Sequence, residues 1–247
     1  MRYLVLSDIH ANLEAFDAVL DAAREVPYDR LLVLGDLVGY GADPNAIVEK
    51  VRTLQPHAII RGNHDKVGSG LESAEGFNAI ARSAIRWTYE QLTADNRQWL
   101  AALPMGPIVV DDLIEICHGT PFDEDAYVFD DLDALRGLHA AERPLCLFGH
   151  THVQIGYALT GDQFTLTTLS NDRPLEVIVT DNSRHLLNPG SVGQPRDGDP
   201  RSGFAIADTD TRTVMIYRID YPIKQAQARI IAEGLPEVLA QRLALGR

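Results

Sequence analysis

Cysteine is nearly absent, with two residues in a chain of 247. That scarcity excludes a disulfide framework and a zinc site ligated by thiolates. Basic residues are also few: 22 Lys and Arg stand against 35 Asp and Glu, a formal charge of −13. Long nucleic acid and anionic membrane surfaces are held by basic patches, so neither is expected as a partner. No stretch approaches the ~18 consecutive apolar residues of a membrane span. The apolar run after Met1 ends at Asp8 and His10, too soon for the apolar region of a signal peptide, which predicts a cytoplasmic protein.

What the chain does have is 45% apolar residues, enough for a full core, and eight histidines. The first third alternates between short apolar runs and helical periodicity. Strands are predicted at Arg2–Ser7, Leu31–Leu34 and Ala58–Ile60, with helices at Leu13–Arg24 and from Pro44 to Leu54. Asn12 reads as an N-cap, and Asp43-Pro44 as an N-cap followed by an N1 proline. This order predicts parallel pairing through right-handed crossovers. Residues 72–104 then read as mostly helical, an insertion or cap within a single domain spanning 1–247. Ile108–Val110 and Leu113–Cys117 read as a hairpin, Leu132–Ala141 as a helix and Leu145–Phe148 as a strand. The later runs Val153–Leu159, Phe164–Thr168, Leu175–Val179, Phe204–Ala207 and Val214–Ile219 suggest a second, largely antiparallel sheet. Ile223–Leu245 closes as helix.

The chemistry gathers where strands end. Asp8 and His10 follow the first strand, Asp36 the second, Asn63 and His64 the third, and His118, His150 and His152 follow two later ones. Ligands of open α/β sheets bind outside the carboxyl ends of strands, so these groups converge on one rim. Carboxylate, amide and imidazole donors without thiolate suit Mn, Fe, Ni, Co or Zn ions. The donors exceed the needs of one ion, and Asp36 is the natural bridge between two. Two such ions lower the pKa of a shared water and clamp both oxygens of a displacement at phosphorus.

The motifs SDIH, GDLVGYG, RGNHD, CHG and GHTH, in that order and spacing, resemble the calcineurin-like metallophosphoesterase family, specifically its small bacterial phosphodiesterase-type branch. Asn188–Ser191, reading NPGS, is similar to a strand-end element of that branch. The resemblance implies an α/β (α+β) fold: a four-layer β-sandwich flanked by helices, with a helical insertion. It implies that Asp8, His10 and His152 bind a first divalent ion, Asn63, His118 and His150 a second, and that Asp36 bridges them, with manganese expected at both positions. His64 is implied as the catalytic group that protonates the leaving oxygen or stabilises charge on the phosphoryl. Gly39-Tyr40-Gly41 stands where protein phosphatases and symmetrical dinucleoside tetraphosphatases of the family carry an arginine, which argues against both of those activities. The function expected is hydrolysis of small phosphodiesters or nucleotides. A phosphomonoesterase, or a metal-binding assembly module with little turnover, is the alternative, and self-association is left open. Substrate contacts are expected from Asn12, Tyr40 and Arg196. Of the arginines, Arg61 and Arg201 read as solvated surface, and Arg196, just after NPGS, is preferred for phosphate.

Overall fold

A period of two in the first strand decides the layering. In the computed structural model, which describes residues 1–168 and 173–247, β1 (Arg2–Leu6) sends Leu4 and Leu6 to one side and Tyr3 and Val5 to the other. Leu4 and Leu6 join the helices α1 (Leu13–Arg24) and α2 (Pro44–Leu54) through Phe16, Val19, Ile47 and Val51. Tyr3 and Val5 face a second sheet instead. β6 (Leu145–Leu147) alternates likewise: Leu145 and Leu147 enter the same central core, whereas Cys146 meets Ala134 and Leu138 of α6 (Asp131–Ala140) beyond it. Both faces of each sheet are therefore covered, giving four layers, helix–sheet–sheet–helix.

Each sheet has six strands. The first runs β3 (Ala58–Ile59), β2 (Arg30–Val33), β1, β11 (Ser202–Asp208), β12 (Thr213–Ile219), β9 (Leu175–Ile178). Here β1, β2 and β3 pair in parallel, as the alternation of strand and helix predicts, and β11 and β12 add antiparallel strands. The second runs β4 (Ile108–Val109), β5 (Ile114–Ile116), β6, β10 (Ser183–Pro189), β7 (Gln154–Thr160), β8 (Gln163–Thr168). Both sheets are mixed. The late strands expected to make one antiparallel sheet are divided: β9, β11 and β12 extend the first sheet, while in the second β7 pairs with β10 and β8 with β7.

Segment 72–104 holds a short 3₁₀ turn, α4 (Ala79–Gln91) and α5 (Ala94–Ala101), broken at Leu92-Thr93, where Thr93 caps α5 by accepting from Asn96. Ala81, Ala84, Leu92 and Leu100 pack these helices into the outer core of the first sheet. The closing helix is two, α7 (Ile223–Ala232) and α8 (Glu237–Leu245), separated by Gly234 in the left-handed region and Pro236. Among the described residues no helix is long and apolar enough to cross a membrane.

Candidate metal centre

Three of the strands that end on the rim, β1, β2 and β6, deliver their polar residues through a forced backbone. Asp8, His10, Asp36, His150 and His152 all have φ between 48° and 66°. Non-glycine residues rarely adopt this conformation, which costs of order 1–2 kcal/mol each. Two glycines make room for the crowding. A Cβ at Gly62 would collide with the Asp36 carboxylate, and one at Gly39, itself at φ +89°, would collide with the His64 ring.

The result is two buried groups that share one member. Asp8, His10, Asp36 and His152 present ligand atoms within 4.8 Å of one another, as do Asp36, His118 and His150. The Nε2 of His10 lies 3.5 Å from Asp36 Oδ2, and His152 Nε2 lies 3.4 Å from Asp8 Oδ1. His118 Nε2 is 3.4 Å from Asp36 Oδ2 and 3.4 Å from the Asn63 amide oxygen, so Asn63 joins the second group.

Hydrogen bonds behind the rings fix which nitrogen faces the centre. A carbonyl only accepts, so the nitrogen opposite it must carry hydrogen, and on a neutral ring the other presents a lone pair. His10 Nδ1 donates to Val38 O at 3.0 Å, His118 Nδ1 to Leu34 O at 2.7 Å and His152 Nδ1 to Gln194 O at 2.6 Å. His150 is reversed: its Nε2 donates to Asp125 O at 3.1 Å, leaving Nδ1 for the cluster. Burial lowers the pKa of His10 to about 4 and of His150 to about 3, and pushes His152 well below its usual range, so these rings are neutral. Burial opposes charge on His118 too, but Asp36 beside it holds that ring up at about 10. Burial and the Asp36 charge raise Asp8 to about 6.

This donor set fits divalent cations. His10 Nε2 and His152 Nε2 face each other at 3.0 Å with no hydrogen left to place between them. A cation among those lone pairs and the Asp8 and Asp36 carboxylates turns a repulsive arrangement into a bound one.

His64 lies in the first turn of the short helix α3 (Asn63–Ser69), which follows β3. Its backbone N–H donates to Asp36 Oδ1, while its ring packs among Tyr40, Phe77 and His10 with Nδ1 buried and unpartnered. Asp65 is absorbed in structure, accepting from Gly62, Leu37 and Val38 N–H groups. Asn12 spends its amide on the Ala15 N–H and the Gly193 carbonyl. Tyr40 stays at the rim, and the Arg196 guanidinium lies 5.5 Å from its ring centre. Arg61 and Arg201 pair with Glu124 and Asp199. In NPGS, Asn188 donates to Gly149 O and Thr151 Oγ1, and Ser191 donates to Asp8 O, so this segment braces two ligand loops.

A cavity of about 260 Å³ opens above Asn63, His64 and His150. Asp125 and Tyr127 line it, and neither is among the expected site residues. Tyr127 stacks on His150 at 3.7 Å between ring centres. Both belong to an irregular segment without periodicity, so only their proximity to CHG in the chain hinted at them.

Comparison with known proteins agrees with this geometry. The family model of the calcineurin-like phosphoesterase superfamily domain matches residues 1–212, and the chain belongs to that superfamily. It is a metallophosphoesterase with two buried His/Asp clusters consistent with a dinuclear metal site. Among its relatives, a metallophosphoesterase of Sphaerobacter thermophilus is 39% identical with a TM-score of 0.87, covering 100% of this chain and 99% of that one. An uncharacterized protein of Methanocaldococcus jannaschii is 34% identical over 98% of this chain and 97% of its own length. A hypothetical protein of Pyrococcus horikoshii shares the fold at 21% identity, with a TM-score of 0.80 over 100% of this chain and 98% of that one.

Proposed function

We propose that the protein is a dinuclear metal-dependent phosphodiesterase acting on small phosphodiesters or nucleotides. The observation that carries this reading is the sharing of Asp36 by both clusters, beside a cavity lined by Asn63, His64 and His150. Asp8, His10 and His152 would hold one divalent ion, Asn63, His118 and His150 the other, and Asp36 would touch both, with manganese the metal we favour. Ions held there supply Lewis acidity toward phosphoryl oxygens and lower the pKa of water.

The chain's own residues account for the rest. The backs of the histidines are fixed by carbonyls, so little reorganisation is needed when substrate enters. His64 stands beside Asn63 with an unpartnered ring nitrogen among aromatic neighbours, and no hydrogen bond ties that ring to a described carboxylate. We assign it to donate a hydrogen bond to the phosphoryl or leaving oxygen. Tyr40 and Tyr127 would wall the bound ester.

The test is a screen of phosphomonoesters, phosphodiesters and cyclic nucleotides with Mn²⁺, Ni²⁺, Co²⁺ and Zn²⁺. Hydrolysis of diesters ahead of monoesters is the expected outcome. Faster monoester turnover would reassign the specificity, and no hydrolysis with any of the metals would defeat the enzymatic reading.

A further inference from the structure

Beyond Tyr40, Asn78 and Tyr127 the cavity over His64 continues into a second one of about 490 Å³, since those three residues line both. The two ends carry opposite charge. Glu72 and Asp125 lie at the His64 end; the far end holds Arg196, Arg242 and Arg247 and no Asp or Glu. In a chain of net charge −13 that concentration stands out. Of the arginines elsewhere, Arg2, Arg24, Arg52, Arg61, Arg201, Arg212, Arg218 and Arg229 pair with carboxylates. Arg30, Arg82, Arg97 and Arg184 bond to a histidine or to backbone carbonyls. Among the described residues no side-chain carboxylate pairs with Arg196, Arg242 or Arg247; Arg196 donates to the Gln194 side chain and reaches Tyr40.

The helix α8 is built to offer this face. Leu239, Ala240 and Leu243 are its core side. Val238, Gln241, Arg242 and Leu245 fall at i, i+3, i+4 and i+7, a second stripe, and that stripe lines the groove. Arg196 is the link to the metal clusters: its charge weighs on Asp8, His10, His64 and His150, while that of Arg242 reaches Tyr40. Tyr40 sits between them, 4.4 Å from the His64 ring and 5.5 Å from the Arg196 guanidinium.

We propose that the far end of the groove is a second-anion subsite. The substrate class is then a small phosphodiester whose retained arm bears a further phosphate, received by Arg196, Arg242 and Arg247 while the scissile phosphorus lies by Asn63, His64 and His150. Guanidinium forks suit phosphate oxygens, and Val238 and Leu245 beside Arg242 suit the apolar edge of an organic arm. The acidic end repels such an arm, so the asymmetry sets the direction in which it lies. The assignment rests on the phosphodiesterase reading above.

Two chromogenic probes test it: the p-nitrophenyl ester of thymidine 5′-phosphate, and the same ester carrying a 3′-phosphate. In each, water adds to phosphorus, the bond to the aryl oxygen breaks and p-nitrophenol is released. The native enzyme should favour the 3′-phosphorylated ester by about tenfold in kcat/KM, through KM. In the double variant R242Q/R247Q that preference should fall to near unity, and calorimetry should show binding of thymidine 3′,5′-bisphosphate weakened by about tenfold. Thermal melting of the variant separates this from a role for Arg242 at the C-terminus of α8: lower melting with the preference intact overturns the proposal. So does hydrolysis of both esters by the native enzyme without preference, which leaves the phosphodiesterase reading standing. Absence of hydrolysis with bisphosphate binding that still depends on Arg242 and Arg247 has the converse meaning: the phosphodiesterase reading falls and the anion subsite remains.

Discussion

Asp8, His10 and His152 are held from behind by the main chain of buried loops. Val38 O and Gln194 O each take a ring N–H, Ser7 donates to the Asp8 carboxylate, and Ser191 ties down the Asp8 carbonyl. Asn63, His118 and His150 are held less evenly. His118 has its carbonyl from Leu34, but among the described residues the Asn63 amide meets only the His118 ring, and the His150 ring relies on Asp125 in the loop that follows Gly119. That loop is fastened by ion pairs of Lys66 and Arg61 with Glu124 and Asp125. One half of the centre is thus fixed by the sheet ends themselves, and the other by side chains at the edge of the cavity. The difference suits a site in which one half is scaffold and the other meets substrate.

The two halves meet at Asp36, so the largest effect should follow its loss. Asp36→Asn keeps the size but removes the charge that both groups share. Bound metal measured by atomic absorption should fall below one ion per chain, and phosphodiester turnover should drop by about 10⁴-fold or more. Two retained ions would show that the halves do not depend on a common carboxylate. His64→Ala is expected to cost less, about 10²- to 10³-fold in kcat, because it removes a hydrogen-bond donor while leaving the ligands intact. Metal content should stay that of the native protein, and loss of an ion would move His64 from chemistry to site assembly.

How much of this contrast was legible in the sequence follows from its physical origin. Asp8 and His10 of the rigid half follow β1 and His152 follows β6; at β1 apolar period and capping chemistry agree, so that strand and α1 with its Asn12 cap could be read. Strand β10 braces that half yet reads poorly, since SRHLLNP offers only two adjacent apolar residues between polar ones and a proline. The division of the late strands between two sheets was not legible, because alternation marks a strand but not its neighbour. Gly234 and Pro236 did signal the break between α7 and α8, and helical periodicity on both sides obscured it. The supports of the adjustable half were hidden for a different reason: Asp125 and Tyr127 act from irregular backbone, and Lys66 acts through ion pairs that no periodicity announces.

Lys66 gives the subtlest test of the comparison. Its ammonium is only 2% exposed and touches Glu124 at 3.2 Å, Asp125 at 2.5 Å and Glu72 at 3.3 Å. Removing one partner of a buried pair can cost several kcal/mol. Here, however, the Asp125 and Glu72 side chains are 47% and 53% exposed and can turn to water. The stability cost of Lys66→Met should therefore be modest, about 1–2 kcal/mol. The larger consequence falls on His150, because the loop that presents the Asp125 carbonyl loses its anchor and the ring its orientation. Changes of this kind behind a ligand weaken metal binding by about 10- to 100-fold, and with the ring still stacked on Tyr127 the lower figure is expected. In a metal titration followed by calorimetry, the weaker step should move by about tenfold while the tighter step stays in place. Lys66→Arg, which keeps the charge, should recover most of the loss, a rescue that general destabilisation would not give. Equal weakening of both steps in Lys66→Met would mean that the two halves are one rigid unit after all.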